Sequence, residues 1–283
     1  MIMNHIITAI NSTISKNKGV GISGFNVTEV TGSTISGNRS EESRGGGISG
    51  KTIIVNNSTI SDNYAIGYES YGGGIYGDGK VIVTNSILSG NHVQSNAKYF
   101  HSYNPIPNGG AISDNPYGQE NTTVVVNSTI SGNNNAIRCA SCIVVNNIFD
   151  KNDGYDVSVT SVGQIFNNYI DYAKLVGGNN FKRDNIQPGS GSLNFADSNF
   201  RIGSGSVAID AGLSPSSTTF SNLFSMLQID LQAVLVALAT DKDNNNRIAG
   251  TAIDLGAYEY GSAAVAVPQP DCLFNWAENT YPQ

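Results

Sequence analysis

The chain has 283 residues, only 13% of them charged, with 32 glycines, 8 prolines and a net charge of −7. That balance leaves no basic footprint for nucleic acid and no basic cluster for an anionic membrane. The longest apolar run, "LQAVLVALA" (231–239), is too short for a membrane span, and glycine follows no strict three-residue period, which excludes collagen.

The first segment, "MIMNHIITAINSTIS", has neither the basic start nor the long apolar core of a signal peptide. It runs straight into a heptapeptide, "NSTISKN" at 11–17, which returns in close copies at 32–38, 57–63, 85–91 and 127–133. A glycine-rich piece precedes each later copy: "GVGISG" (19–24), "GGGISG" (45–50), "GGGIYG" (72–77), "GGAISD" (109–114) and a decayed "NNAIRC" (134–139). Between the two lies an alternating apolar stretch such as "KTIIVN" (51–56) or "TTVVVN" (122–127). Three short β-type segments per unit, each closed by Gly or Asn, describe one coil of a solenoid. The expected fold is therefore all-β: a right-handed parallel β-helix of three sheets and about six to seven coils, stacked at ~4.8 Å by ladder hydrogen bonds.

In that register Ile14, Ile35, Ile60, Leu88, Ile130 and Phe149 form one inward column. Asn11, Asn57, Asn85, Asn127 and Asn146 are expected to make one corner ladder, and Asn17, Asn38, Asn63, Asn91, Asn133 and Asn152 another, because Asn tolerates the left-handed conformation and its amide caps neighbouring backbone. Buried in ladders, these asparagines are structural, not glycosylation sites. The Thr and second Ser of each "STIS" point outward as a hydroxyl array interrupted by Ile87 and Ile148. Such arrays can bind ice or sugars, and Thr is also simply a good strand residue.

The segments leaving the "ISxN" asparagine vary most in length: "RSEESR" (39–44), "YAIGYESY" (64–71) and "HVQSNAKYFHSYNPIPN" (92–108). All leave one corner and are expected to stack into a lateral wall. Aromatics mixed with polar groups beside a solenoid groove suit an extended ligand such as a polysaccharide; the alternative is aromatics packing back on the coils. The candidate ligand-binding residues are Tyr68, Tyr71, His92, Lys98, Tyr99, Phe100, His101 and Tyr103. Further on, Cys139 and Cys142 form a CxxC without a second pair, so a zinc ribbon is excluded and a local disulfide or two free thiols remain.

Toward the C-terminus, "SNLFSMLQIDLQAVLVALAT" (221–240) has apolar residues at helical spacing, which predicts a helix with Ser221 as N-cap on the end or flank of the solenoid, with strand the alternative for "QAVLVALA". "DKDNNNR" places Asp241, Asp243 and Asn245 at positions 1, 3 and 5 of a calcium-loop-like spacing. Asn246 stands where the loop needs its turn glycine and Ala252 where it needs the bidentate acid, so Asp254 or Glu259 has to supply the missing carboxylate to Ca2+. The competing expectation is a structural end-cap joining Asp243, Arg247, Asp254 and Glu259. "DKNDGYD" (150–156) is a second acidic cluster, read as a solvated turn or a calcium site.

The pair "NFRIGSGSVAIDAGLSP" (199–215) and "DKDNNNRIAGTAIDLGAYEY" (241–260) resembles the end of bacterial right-handed β-helix surface proteins with a choice-of-anchor Q domain. The "GGAI" and "ISxN" pieces look like the repeats of chlamydial polymorphic outer membrane proteins. The resemblance implies an exported, extracellular or cell-surface protein and no single activity. It divides the chain into coils (1–178), a C-terminal capping region (179–262) and a linker with the start of a tail module (263–283). Because the chain opens mid-coil without a polar cover, a fragment of a longer protein or self-association through that end is expected.

Enzyme motifs are incomplete. The His-Gly and Arg-Ile-Lys arrangements of polygalacturonase-type hydrolysis and a GxSxG elbow are missing from the sequence. Arg138 and Lys151 beside Asp150 and Asp153 are the nearest approach to a lyase base among acids. The readings carried forward are a surface module binding a glycan or other surface ligand through its lateral loops, a Ca2+-dependent hydrolase or lyase of a polysaccharide, ester or lactone, and a passive stalk.

Overall fold

The computed structural model describes residues 6–41, 44–67, 70–95, 108–115, 121–225 and 231–262. Its strands fall into parallel sheets of eleven, six and three strands, stacked in the order of the sequence repeats. The glycine piece and the apolar stretch, expected as separate segments, run together in the largest sheet. Ile48–Asn56 and Ile75–Thr84 pair over their whole length, with one register shift between Gly77 and Lys80. The "STIS" triplets form the second sheet, with Ile14, Ile35, Ile60, Leu88, Ile130 and Phe149 in strict register. From Ile35 onward this column is almost completely buried, as period-two alternation requires. The third sheet holds Arg39–Glu41, Tyr64–Gly67 and His92–Ser95, so the wall segments read as loops begin as strands.

The heptapeptide is a bend, a three-residue strand and a second bend. Its first residue is in the left-handed region, with φ of 46° at Asn11, 55° at Asn57, 48° at Asn85 and 48° at Asn127. Gly32 takes the same place at φ 59°, a conformation open to Gly and Asn at little cost. The sixth residue is left-handed again, at Lys16, Gly37, Asp62, Gly90 and Gly132. The residue after each bend turns inward. At the second bend this gives the expected asparagine ladder: the Nδ2 of Asn38, Asn63, Asn91 and Asn133 donates to the Oδ1 of the next member at 3.0 Å in each case.

At the first bend the ladder differs from expectation. The asparagines there supply the left-handed backbone, while Ser33, Ser58 and Ser86 receive the inward place. Each of their N–H groups donates to the serine hydroxyl one coil on, at 3.1 Å. Asn147 and Asn168 continue the stack. The displaced Asn57, Asn85 and Asn146 turn their side chains out to the C-terminal region.

The glycine runs exist because backbone passes backbone where each coil closes. A Cβ on Gly73 would lie 2.3 Å from the carbonyl oxygen of His92, and one on Gly47 would lie 2.6 Å from that of Gly74.

The last coil continues past residue 178, since Asn179–Arg183 pairs with Val157–Phe166. The expected helix is described in two stretches, α1 (Thr218–Ser225) and α2 (Leu231–Ala237), with 226–230 outside the described residues. Ser217, not Ser221, caps α1, its Oγ accepting from the N–H of Phe220 at 3.1 Å. Phe220, Leu223, Phe224, Val234 and Leu238 pack on the outer faces of Val124, Val126, Ile143 and Val145. The helices thus cover a flank of the large sheet, where "TTVVV" and "CIVV" are apolar on both faces. Cys139 and Cys142 are free and buried in the core, and burial pushes the Cys139 thiol well up. At the opposite end Ile6 and Ile10 lie exposed on the first strand. No helix among the described residues is long and apolar enough to cross a membrane.

Asn63 tests the ladder. Its amide donates to Ile35 O and Asn91 Oδ1 and accepts from the N–H and side chain of Asn38. Asn63→Ala orphans these buried partners and is expected to lower unfolding stability by about 2–4 kcal/mol in urea denaturation. Asn17→Ala, at the exposed end of the same ladder, is expected to cost less than about 1 kcal/mol. Equal losses at the two positions would contradict the ladder's role.

Candidate functional site: the lateral wall and the C-terminal clasp

The third sheet builds the wall from one rule, alternation. Ser40, Ala65 and Val93 stack inward and are buried, so Arg39, Tyr64 and His92, which stand in register, face out. Tyr64, 38% exposed, lies with its ring 5.4 Å from that of His92, tilted by 35°. Behind this strip the carbonyl and N–H of Val93 are bonded by the side chain of Asn134, at 2.7 and 2.8 Å, which prolongs the sheet edge with an amide.

Closer to the coils, Arg44 Nη1 donates to the hydroxyl of Tyr76 at 3.1 Å. The same guanidinium lies 5.4 Å from the Tyr71 ring centre and 5.6 Å from that of Tyr76, within cation–π range. Burial raises the Tyr76 hydroxyl's pKa and Arg44 opposes it. Of the expected ligand residues, the structure places Tyr71 and His92 on this wall. Tyr68, Lys98, Tyr99, Phe100, His101 and Tyr103 lie outside the described residues. Arg44, Tyr64 and Tyr76 are additions. The period-two pattern around "GGGIYG" already puts Tyr76 on the outer face, whereas the Arg44 contact spans coils and leaves no local signal.

The calcium-loop candidates belong to a different construction. Asp241 Oδ1 accepts from the N–H groups of Asp243 (2.9 Å) and Asn245 (2.8 Å), and its Oδ2 from the N–H of Glu259 (3.0 Å) and the amide of Asn245 (3.3 Å). Asp254 takes the N–H groups of Asp210 (2.7 Å) and Tyr260 (2.6 Å), one on each oxygen. Glu259 takes those of Ala249 and Asp254, both at 3.0 Å. Asp243 leaves the group altogether and meets Arg201 with both oxygens, at 2.7 and 2.9 Å. This is the geometry of a clasp in which carboxylates replace missing backbone partners. Calcium needs six to eight converging oxygens, and among the described residues no group of three or more His, Cys, Asp or Glu side chains is placed to hold a metal. The donor set fits the clasp better than an ion cage.

Arg247 locks the clasp to the coils. Its Nη2 donates to Asn85 Oδ1 at 2.7 Å, Gly256 O at 2.9 Å and Asn127 O at 3.2 Å. The end-cap expectation named Asp243, Arg247, Asp254 and Glu259. The structure keeps Arg247, Asp254 and Glu259 together and gives Asp243 to Arg201. Leu255–Tyr258 then lies over the outer face of the second sheet, where Ile87 packs on Ala257 and Tyr258 and where Thr129 Oγ1 accepts from the N–H of Ala257. The expected hydroxyl array is therefore roofed at Thr129. In the acidic cluster of 150–156, Asp150 lies 3.7 Å from exposed Lys151, and burial raises Asp156 to about 6.

One further carboxyl stands out inside the coils. Asp114 is fully buried, with Oδ2 accepting from the N–H of Ala140 at 2.6 Å and Oδ1 without a partner. Burial raises its pKa to about 7. The chain matches no protein-family model, no curated protein and no solved structure.

Two outcomes follow from these geometries. With a folded pKa above the unfolded value, Asp114's contribution to stability is present below about pH 4 and lost as pH rises through about 7. Asp114→Asn keeps the acceptor for Ala140 and is expected to raise stability by about 1–3 kcal/mol at pH 8 and by nothing at pH 4, read from thermal melts; a uniform gain or loss would contradict this. For the clasp, calcium titration of the chelated protein is expected to give no saturable heat, while Asp241→Ala lowers Tm in calcium-free buffer. Saturable heat that disappears in Asp241→Ala would restore the metal.

Proposed function

We propose that this chain is an exported, cell-surface right-handed parallel β-helix that binds a glycan along its lateral wall. The observation that carries the reading is the outer strip of Tyr64 and His92 beside the Arg44, Tyr71 and Tyr76 cluster. The exposed Tyr64 ring offers a sugar ring's C–H face a flat apolar partner and neighbouring polar groups supply directional bonds, with Tyr71 and Tyr76 buried behind it. The parallel stacking favours an extended ligand, because successive coils repeat one outward position at strand spacing. The choice-of-anchor Q resemblance of 199–215 and 241–260 supports the surface location.

A Ca2+-dependent hydrolase or lyase is the second reading. It draws on Asp241, Asp254 and Glu259, which all lie near enough to act on Arg247, and calcium there has to compete with the backbone donors already bonded to them. A passive stalk remains the reading if no ligand is bound.

The test is a glycan array probed with the purified chain, followed by titration of the strongest hit against Tyr64→Ala/His92→Ala. The expected loss is about 5–30-fold in affinity at unchanged Tm, the worth of two stacked aromatics. No bound glycan, or a hit that the double variant binds equally well, overturns the wall as the binding face.

A further inference from the structure

The asparagine ladder of the second bend runs in one direction, and its two ends differ. Inside it each amide uses both of its N–H groups. Asn38 Nδ2 reaches back to Ile14 O at 3.1 Å and Asn63 Nδ2 to Ile35 O at 2.9 Å, and each also donates onward to the next Oδ1. Each Oδ1 in turn accepts from the coil before it, as Asn38 Oδ1 does from the N–H and amide of Asn17 at 3.1 and 2.8 Å. At Asn152 the onward bond is closed within the protein: its Nδ2 donates to Asp156 Oδ1 at 3.2 Å, and Lys174 Nζ donates to its carbonyl at 2.6 Å. Asn17 has no such closure. Among the described residues its Oδ1 accepts from no group, and its exposed Nδ2 makes only the onward bond to Asn38.

Sheets and core repeat the contrast. Ile6–Ile10 and Thr13–Ser15 are each paired on one side alone among the described residues. Ile7 stands in register with Thr28 and Ile53 on the inward face, yet it is 37% exposed where those two are fully buried. Neither of the two strands carries a charge, whereas the edge strand at the other end, Asn179–Arg183, finishes in exposed Lys182 and Arg183. Charge on an edge strand blocks further pairing, and an uncharged apolar edge invites it.

The unmet groups specify the occupant. It has to bring an N–H and an amide to Asn17 Oδ1, a carbonyl to Asn17 Nδ2, and apolar side chains over Ile7 and Ile14. The I-S-x-N stretch meets these demands, as Ile35 to Asn38 show one coil further on: the asparagine is donor, and the isoleucine carbonyl three residues before it is acceptor. A second copy of this chain is poorly matched head to tail, because Asn152 is closed by Asp156 and the outermost strand there is charged. We propose that the face formed by Ile6–Ile10, Thr13–Ser15 and Asn17 docks an extended segment of a second polypeptide that carries the same heptapeptide, added in parallel as one further coil. This face is independent of the lateral wall.

The probe is a synthetic peptide of residues 51–63, KTIIVNNSTISDN, titrated into the ¹⁵N-labelled chain and followed by amide NMR. Saturable shifts are expected at 6–17, and a scrambled peptide of the same composition is expected to give none. The Asn63→Ala peptide lacks the amide for Asn17 and is expected to bind about threefold to tenfold more weakly. In the chain, Asn17→Ala is expected to weaken binding by a similar factor, and Ile7→Lys, which sets a charge on the edge as Lys182 does, to abolish it. The proposal falls if the peptide gives no saturable shifts at 6–17, or if the scrambled or Asn63→Ala peptide binds equally well. It falls too if folded Asn17→Ala or Ile7→Lys protein binds as the parent does. Shifts at 6–17 that grow with the concentration of the chain alone make a second copy the occupant and overturn it as well.

Discussion

The rest of the molecule depends on polar side chains that turn into the core at every bend. A solenoid coil is so short that its corners cannot all be apolar, and a buried amide left unpaired costs about 1–3 kcal/mol. Here the neighbouring coil supplies the partner: Asn63 is satisfied by Asn38, Asn91 and Ile35, and Ser58 by Ser33, Ser86 and backbone. Because each member completes the one before it, a coil is complete only within a stack. That condition fixes the register of the heptapeptide from coil to coil, while the chain between successive ladder members varies from 19 to 42 residues.

The C-terminal region solves the corresponding problem for an irregular chain. Segments 208–213 and 241–260 have few ladder partners, and acids stand in for them: Asp210, Asp241, Asp254 and Glu259 each accept two or more backbone N–H groups. Spent in this way, the carboxylates are structural, and the burial that raises Glu259 to about 7 reflects how little water reaches them. Functional chemistry is left to the surfaces these devices hold in place.

The repeat was legible because a solenoid writes its architecture locally. The inward column and the Asn38–Asn133 ladder follow from spacing alone. The first-bend ladder was misassigned because Asn serves two purposes, left-handed backbone and inward amide, and sequence does not distinguish them; the serine after Asn57 was the available clue. The calcium-like spacing has a second reading for a related reason. Asp-x-Asp-x-Asn is equally a turn whose first carboxylate caps the following N–H groups, as Asp241 does. Arg44 on Tyr76 and Arg247 on Asn85 join residues 32 and 162 positions apart, and no local pattern announces such contacts.

The clasp also divides the solenoid mechanically. Asn57, Asn85, Asn127 and Asn146 meet it from successive coils, and Lys242 adds a bond to Asn57 O, whereas the coils before Asn57 lie beyond these bonds. A force along the solenoid axis loads ladder bonds lengthwise, one coil at a time. The N-terminal coils therefore form a compliant stretch that peels in small steps, and the clasped coils a stiff one that yields together. Pulled lengthwise, such a chain extends at one end while its clasped end keeps its shape.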